Sequence, residues 1–413
     1  MRGRRRRLRH GGRERVRAIS QLSGLLVVDL SRNLPGPLTA RLLADLGARV
    51  VKVEEPSLGD PVRTAPPIRE RREGGERREG VGALGAILLA GVESVALDLK
   101  QPGGREALAR LLARADVLIE SFRPGTLARF GFPPAELRAR HPRLVICSIS
   151  GWGPEGPYAA RAGHDLTYQA IAGTLAPTAA MPGVQVADLI GAWSAVASIL
   201  AALLERQRTG EGRRVDVALL DAGLHANLTA WAAEAGGRKA VGERLPLTGA
   251  LPCYNLYETA DGSKLALGAL EPHFWERFCR AVGRQDLVGR QHSSSIRVRR
   301  EMAELFRGRT RRQWMELLGG EDIPVEPLLA AAEARDHPQV LERGVLAEGP
   351  DRLPRLAFPA RFDGERPAAG GAVPALGGQT KAVLAEVGAK DLASAAGVGR
   401  RFSFKRWVRT FLR

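Results

Sequence analysis

The chain has 413 residues, 44% of them hydrophobic, and a formal net charge of +17, long enough for about two to three domains with a sizeable core. The charge sits at the ends: residues 1–17 hold nine arginines against Glu14, and residues 400–413 hold five arginines and Lys405 with no acid, together +14, which leaves about +3 for the body. A folded basic face with interleaved aromatics is therefore missing, which argues against a nucleic-acid partner, and three widely spaced cysteines, Cys147, Cys253 and Cys279, indicate neither a disulfide framework nor a zinc cluster.

Residues 1–20, with the run Arg4-Arg5-Arg6-Arg7, read as a disordered basic extension. A large α/β domain begins at 21 and its first part runs to 215. It opens with a strand at 25–30, a helix that starts at Pro35-Gly36-Pro37 and stops at Gly47, and a strand at 50–53, a βαβ unit that implies a parallel sheet. Strands at 94–99, 117–120 and 144–149 alternate with helices at 105–114 and 134–140. The layout is a doubly wound, Rossmann-like α/β fold. The longest apolar run, 191–204, is shorter than the roughly 20 helical residues that span a bilayer, so the body is expected to be soluble, in a reducing, cytoplasmic compartment. A helix over 192–208 ends at Thr209-Gly210-Glu211-Gly212, and a strand follows at 215–218.

Residues 225–325 read as a smaller α+β domain. It holds a hairpin, 254–257 and 264–267 about the turn Thr259-Ala260-Asp261-Gly262, and helices carrying Trp275, Phe278, Phe306 and Trp314. Residues 335–395 return to the large domain and end in a helix at 380–387. The tail at 396–413 is basic and amphipathic, with Phe404, Trp407, Val408, Phe411 and Leu412 on one stripe, suited to weak contact with a membrane surface.

The chemistry points to Gly163-His164-Asp165-Leu166-Thr167-Tyr168, with Asp188 placed 24 residues beyond the histidine. Imidazoles and carboxylates are the side chains most readily tuned for proton transfer near neutral pH. In a doubly wound sheet ligands lie at the carboxyl ends of strands, where Ser121-Phe122-Arg123-Pro124-Gly125 and Ser150-Gly151-Trp152-Gly153 follow two of the expected strands. No Gly-x-Gly-x-x-Gly opens the first helix and no Walker-type Gly-Lys-Ser/Thr occurs, which disfavours a dinucleotide or triphosphate site. Plainer roles stand beside these: a helix cap for Asp165 or Asp188, an exposed helix-start carboxylate for Glu271, a surface turn for Arg123, and core packing for Trp152 and Tyr168.

A resemblance sharpens this. Asp29-Leu30-Ser31, Pro35-Gly36-Pro37, Leu43-Ala44-Asp45-Leu46-Gly47-Ala48, Val51-Lys52-Val53-Glu54, Asp98-Leu99-Lys100, Arg123-Pro124-Gly125 and Gly151-Trp152-Gly153-Pro154 resemble, in that order, motifs of the family III CoA-transferase superfamily. The likeness covers about 22–390 apart from one gap. The Gly-His-Asp motif, the later aspartate and Glu271-Pro272 are most similar to alpha-methylacyl-CoA racemase-like members. The resemblance implies an interlocked homodimer of two-domain chains, an acyl-CoA thioester as substrate with coenzyme A as part of it, no permanently bound cofactor and no metal. His164 and Asp188 would be the acid/base pair, and Glu271 would orient His164. CoA contacts would come from Leu97, Asp98, Leu99 and Lys100, from Ser121, Phe122, Arg123, Pro124 and Gly125, and from Gly163, Asp165 and Tyr168.

The activity so implied is removal and return of the proton α to a CoA thioester. A CoA-transferase that passes an acyl group through an anhydride on Asp188 is the alternative, and an inactive CoA-binding homologue the third. The chain also departs from the family. Residues 69–80 are a charged, low-complexity segment, and Leu89-Ala90-Gly91-Val92-Glu93-Ser94 stands where the family often reads Asn-Arg-Gly-Lys-Arg-Ser. Cations that would meet the CoA phosphates are missing there, and Lys52, Arg63 and Arg123 are the replacements on offer. Trp193 is expected to narrow the acyl pocket.

Overall fold

The structure, a computed structural model, describes residues 21–68, 71–73, 76–78, 82–178, 180–237, 245–368 and 370–393. The basic extension at 1–20 and the tail at 396–413 lie outside the described residues. From β1 (Leu26–Asp29) the chain passes through α1 (Pro35–Asp45) to β2 (Arg49–Glu54). Pro35 suits a first helical turn, where its missing N–H is no loss, and Gly47, at φ +99°, turns the chain back toward the sheet. A short antiparallel pair, β3 (Arg71–Glu73) and β4 (Glu76–Arg78), occupies part of the charged segment. Then follow α2 (Ala83–Leu88), β5 (Glu93–Ala96), α3 (Pro102–Leu112), β6 (Val117–Glu120), α4 (Thr126–Arg129), α5 (Pro134–Arg140), β7 (Val145–Ser150), α6 (Asp165–Ala172), α7 (Val186–Thr209) and β8 (Arg214–Ala218).

Six strands form one sheet in the order β5-β2-β1-β6-β7-β8. The pairs β1–β2, β2–β5 and β7–β8 are parallel, and β6 is buried along its whole length, as parallel strands covered on both faces must be. The expected α/β class is what the strands form. The order shows something the sequence pattern does not: the chain runs outward from β1 through β2 to β5, then outward the other way from β6 through β7 to β8. The winding therefore reverses between β1 and β6.

By its internal contacts the chain divides into two compact units, one of residues 31–38 and 119–343, the other of 1–30, 39–118 and 344–413. In the first of these, α8 (Leu219–Ala226) and α9 (Leu228–Ala235) follow β8. Beyond them β9 (Tyr254–Glu258), β10 (Lys264–Gly268) and, after α10 (Pro272–Ala281), α11 (Ile296–Arg307) and α12 (Arg311–Leu318), β11 (Val325–Pro327) build a three-stranded antiparallel sheet, β11-β10-β9. Its core is aromatic: Tyr257 stacks on Phe306 at 4.5 Å and Phe306 packs on Trp314 at 5.0 Å, pairs worth about 0.5–1.5 kcal/mol each beyond the area they bury. Each polar tip in that core is satisfied. Trp314 Nε1 donates to Phe306 O at 2.7 Å, Trp275 Nε1 to Leu287 O at 3.0 Å, and the Tyr257 hydroxyl to Pro252 O at 2.7 Å.

α7 is 24 residues long, longer than the apolar run at 191–204, and by length and composition alone could cross a membrane. Its first turn extends six residues ahead of the expected start at 192. One of its faces is core: Ala187, Ala195, Val196 and Ile199 are buried.

The other unit ends with β12 (Leu346–Glu348) paired to β13 (Pro354–Leu356), after α13 (Ala331–Arg335) and α14 (Pro338–Arg343) of the first, and with α15 (Thr380–Glu386). Its interior holds an ionic network. Lys52, 1% exposed, has its Nζ 3.0 Å from both Asp29 and Asp60. Glu54 accepts two hydrogen bonds of 2.7 Å from Arg63 and one of 2.5 Å from Ser94. Burial alone would lower the Lys52 proton affinity, but Asp29, Asp60 and Glu54 outweigh it and raise the pKa to about 12. Burial would raise Glu54, yet the bonds from Arg63 and Ser94 and the charge of Lys52 hold it below the ordinary carboxylate value. Lys52 and Arg63 are thus enclosed and engaged, and they are corrected as replacements for cations at the CoA phosphates.

Candidate active site

A cavity of about 300 Å³ opens where the loops after β1, β6 and β7 meet the first turns of α6 and α7. All its lining residues belong to the unit of 31–38 and 119–343. It lies outside the carboxyl ends of strands next to the reversal of winding, the position at which open α/β sheets bind ligands. Arg32 N donates to Ser121 Oγ at 2.9 Å, so the loop after β1 is tied to the loop after β6.

His164 stands just before α6 with extended backbone, φ −137° and ψ 168°. Its N–H donates to Thr167 Oγ1 at 3.0 Å, and the Thr167 hydroxyl donates back to His164 O at 2.7 Å. This local loop fixes the backbone and leaves the imidazole to the cavity it lines. The N–H groups of Asp165 and Leu166 open the helix and have no acceptor among the described residues, as expected of a first turn.

Asp165 is 8% exposed, and both its oxygens are engaged. One accepts from the backbone N–H of Asp188 at 3.1 Å, the other from Gln169 Nε2 at 2.6 Å. Gln185, at the cap position of α7, makes no side-chain cap bond, so Asp165 caps that helix from outside it. The result is that Asp188, in the first turn of α7, shares a cavity with His164. Asp188 is half-buried, and no hydrogen bond or ion pair reaches its carboxylate among the described residues. Burial first, and the Asp165 charge second, push its pKa up to about 7.

Tyr168 closes one side. Its ring meets Trp152 edge-on at 4.8 Å, and Trp152 meets Tyr158 at 5.2 Å. Burial, then the charges of Asp188 and Asp165, push the Tyr168 phenol up to about 12. Glycine is required beside it, because a Cβ at Gly151 or Gly163 would overlap the Tyr168 ring or hydroxyl. Ser150 Oγ and Trp152 Nε1 are buried with no partner among the described residues, unlike the satisfied tips of the aromatic core.

Of the residues singled out from the sequence, His164, Asp188, Ser121, Phe122, Arg123, Pro124, Gly163, Asp165 and Tyr168 all line this cavity. Gly125 does not; it sits at φ +80° ahead of α4. Leu97, Asp98, Leu99 and Lys100 belong to the other unit. There they turn the chain from β5 into α3, with Asp98 accepting from Lys100 N at 3.0 Å and Arg105 donating to Lys100 O at 2.8 Å. Glu271 is exposed at the start of α10 and is not part of the cavity lining. Trp193 is 39% exposed and lies outside the lining as well, so it does not narrow this cavity.

Two cavity cations escaped sequence reasoning. Arg32 and Arg161 join Arg123 in the lining, and none of the three guanidiniums is paired with a carboxylate among the described residues. Arg161 lies 4.4 Å over the Tyr158 ring. The reversal of winding would have pointed to Arg32, but strand order is not written in the periodicity.

Residues 22–380 match CoA-transferase family III. The human alpha-methylacyl-CoA racemase is 33% identical over 356 residues, covering 81% of this chain and 85% of that one. The acetyl-CoA:oxalate CoA-transferase of Acetobacter aceti is 30% identical over 345 residues, covering 78% and 84%. Among solved structures, a CAIB/BAIF family protein from Brucella suis superposes with a TM-score of 0.78 at 30% identity, covering 89% of this chain and 99% of that one.

Proposed function

The chain belongs to CoA-transferase family III, a superfamily of acyl-CoA enzymes, and from that premise we propose that it moves the proton α to the carbonyl of an acyl-CoA thioester, as an alpha-methylacyl-CoA racemase does. The observation that carries this reading is Asp188, which shares one cavity with His164: its carboxyl has no partner among the described residues, and its pKa is pushed up to about 7 by burial and by the Asp165 charge. A group poised near neutral pH both takes and gives protons efficiently. One of the two side chains removes the α-proton, and the other returns a proton to the carbon. The negative charge that develops on the thioester oxygen needs donors already in place, and the free N–H groups of Asp165 and Leu166 at the start of α6 supply them. Arg32, Arg123 and Arg161 give the cavity an excess of positive charge, which suits the anionic groups of CoA.

A homodimer is part of the proposal. Ile171, Leu204, Leu228 and Trp231 are exposed apolar side chains, of the kind a second copy of the chain would cover. Glu271 stands outside the cavity of its own chain, so a role for it beside His164 calls for a second copy.

A second reading draws on the same carboxyl. As a nucleophile, ionised Asp188 attacks the thioester carbonyl, the C–S bond breaks, CoA leaves as thiolate, and an aspartyl anhydride remains for a second acid to open. The similarity to a CoA-transferase at 30% identity favours keeping it. Incubation of the full chain with a 2-methylacyl-CoA in deuterated water, followed by mass spectrometry of the α-position, separates the two. Deuterium entry without acyl transfer is expected; an Asp188 hydroxamate after hydroxylamine treatment would establish the transferase instead.

A further inference from the structure

Asp165 lies in the centre of the motif yet offers no free oxygen to a ligand. Its Oδ1 accepts from the N–H of Asp188 and its Oδ2 from Gln169 Nε2. Gln169, 1% exposed, is itself held by the Thr174 hydroxyl, which lies 3.3 Å from its Oε1. A chain of bonds, buried between Gln169 and Asp165 and partly buried at its ends, thus runs from beyond the end of α6, through Asp165, to the first turn of α7. It reaches Asp188 at the backbone N–H, and both aspartates line the cavity. The ionisable groups that line the cavity around Asp188 are His164, Asp165 and Tyr168 from the start of α6, Arg32 from the loop after β1, Arg123 from the loop after β6 and Arg161 from the loop after β7. The start of α8 contributes Leu219, and β7 contributes Ile149 and Ser150, none of them ionisable. Burial is the larger cause of the raised Asp188 pKa, and the charge of Asp165 is the second.

We propose that Asp165 is a positioning residue: by capping α7 from the neighbouring helix it sets where Asp188 stands in the cavity, and it adds a second carboxyl to the wall of that cavity. The inference deepens the proton-transfer reading and rests on it for its meaning in catalysis, but its geometry stands without any turnover. Like carboxylates that share a site cannot both ionise freely, and a helix whose own cap residue is silent needs an acceptor from elsewhere. Asp165 answers both needs with one side chain.

Asp165→Asn separates them. Asparagine keeps an oxygen for the Asp188 N–H, and a flip of the Gln169 amide restores the other bond, so the cap survives while the charge is lost. Asp165→Ala removes both. The test is a pH titration of the full chain with 13C in the aspartate carboxyls, the Asp188 signal being assigned by its loss in Asp188→Asn. The Asp188 midpoint is expected near 7 in the unaltered chain and lower in both Asp165 variants, though still above the ordinary 3.8 because burial remains. Hydrogen exchange at the Asp188 amide is expected to stay slow in Asp165→Asn and to quicken at least tenfold in Asp165→Ala. An unmoved midpoint in Asp165→Asn would overturn the electrostatic role, and an amide still protected in Asp165→Ala would overturn the capping role. If the unaltered chain exchanges no α-proton while these shifts are seen, it is the proposed reaction that fails and not the role of Asp165.

Discussion

In the unit of 1–30, 39–118 and 344–413, Glu54 is buried with Arg63 and Ser94 on its oxygens, whereas in the other unit Asp188 is half-buried with no partner for its carboxylate among the described residues. Both acids lose water. The first is held below its ordinary pKa because guanidinium and hydroxyl donors overcome desolvation, and the second rises to about 7 because nothing does. The contrast separates an acid that maintains the fold from one available for chemistry: full pairing fixes the charge state, and its absence leaves the proton mobile near neutral pH.

The comparison can be broken from the structural side first. Lys52→Met leaves Asp29 and Asp60 buried without their cation, and it is expected to destabilise the chain by about 3–5 kcal/mol, read from urea unfolding. Asp188→Asn is the mirror experiment. Activity is expected to fall by about 10²–10⁴-fold, the usual range for a general acid or base, while stability at pH 4, where Asp188 is largely protonated, changes by less than about 1 kcal/mol because no partner is abandoned. A stability loss as large as that of Lys52→Met would mean that Asp188 is structural after all.

Gly163→Ala tests the tightness of the wall. The added methyl meets the Tyr168 ring and Trp152, so a cost of about 1–3 kcal/mol is expected from overpacking, together with weaker acyl-CoA binding by calorimetry. The smallest effect is the dependence on pH, and its sign differs between the two acids. The folded pKa of Asp188 lies above its ordinary 3.8, so its contribution to stability is complete below about pH 4 and is lost as pH rises through 7. Glu54, held below 4.5, contributes above that value and loses its contribution as the solution becomes more acid. Relative to the unaltered chain, Asp188→Asn should therefore gain about 1–2 kcal/mol between pH 4 and pH 8, measured by thermal unfolding across that range. A flat difference would contradict the raised pKa.

Much of the fold was legible because its strands are short apolar runs closed by glycine and proline: β6 and α5 fall at the expected residues, and β9 and β10 flank the expected turn. The first turn of α7 was not legible. Val186-Ala187-Asp188 has no cap of its own in the sequence, and the acceptor that completes it comes from Asp165, 23 residues away. The cavity was legible as a cluster of motifs, but Arg32 and Arg161 were not, since an arginine in a loop declares its partner only when the loops are assembled. Lys52 looked like a ligand for phosphate for the opposite reason: nothing in Val51-Lys52-Val53 announces that two aspartates enclose it.

The most direct test of the account follows α-proton exchange from each enantiomer of a 2-methylacyl-CoA in deuterated water, with the unaltered chain, His164→Asn and Asp188→Asn side by side. The account predicts exchange from both hands with the unaltered chain, and loss of exchange from one hand in one variant and from the other hand in the other. Absence of exchange from either hand in the unaltered chain, or an identical loss in both variants, would contradict a reaction in which His164 and Asp188 each handle the proton.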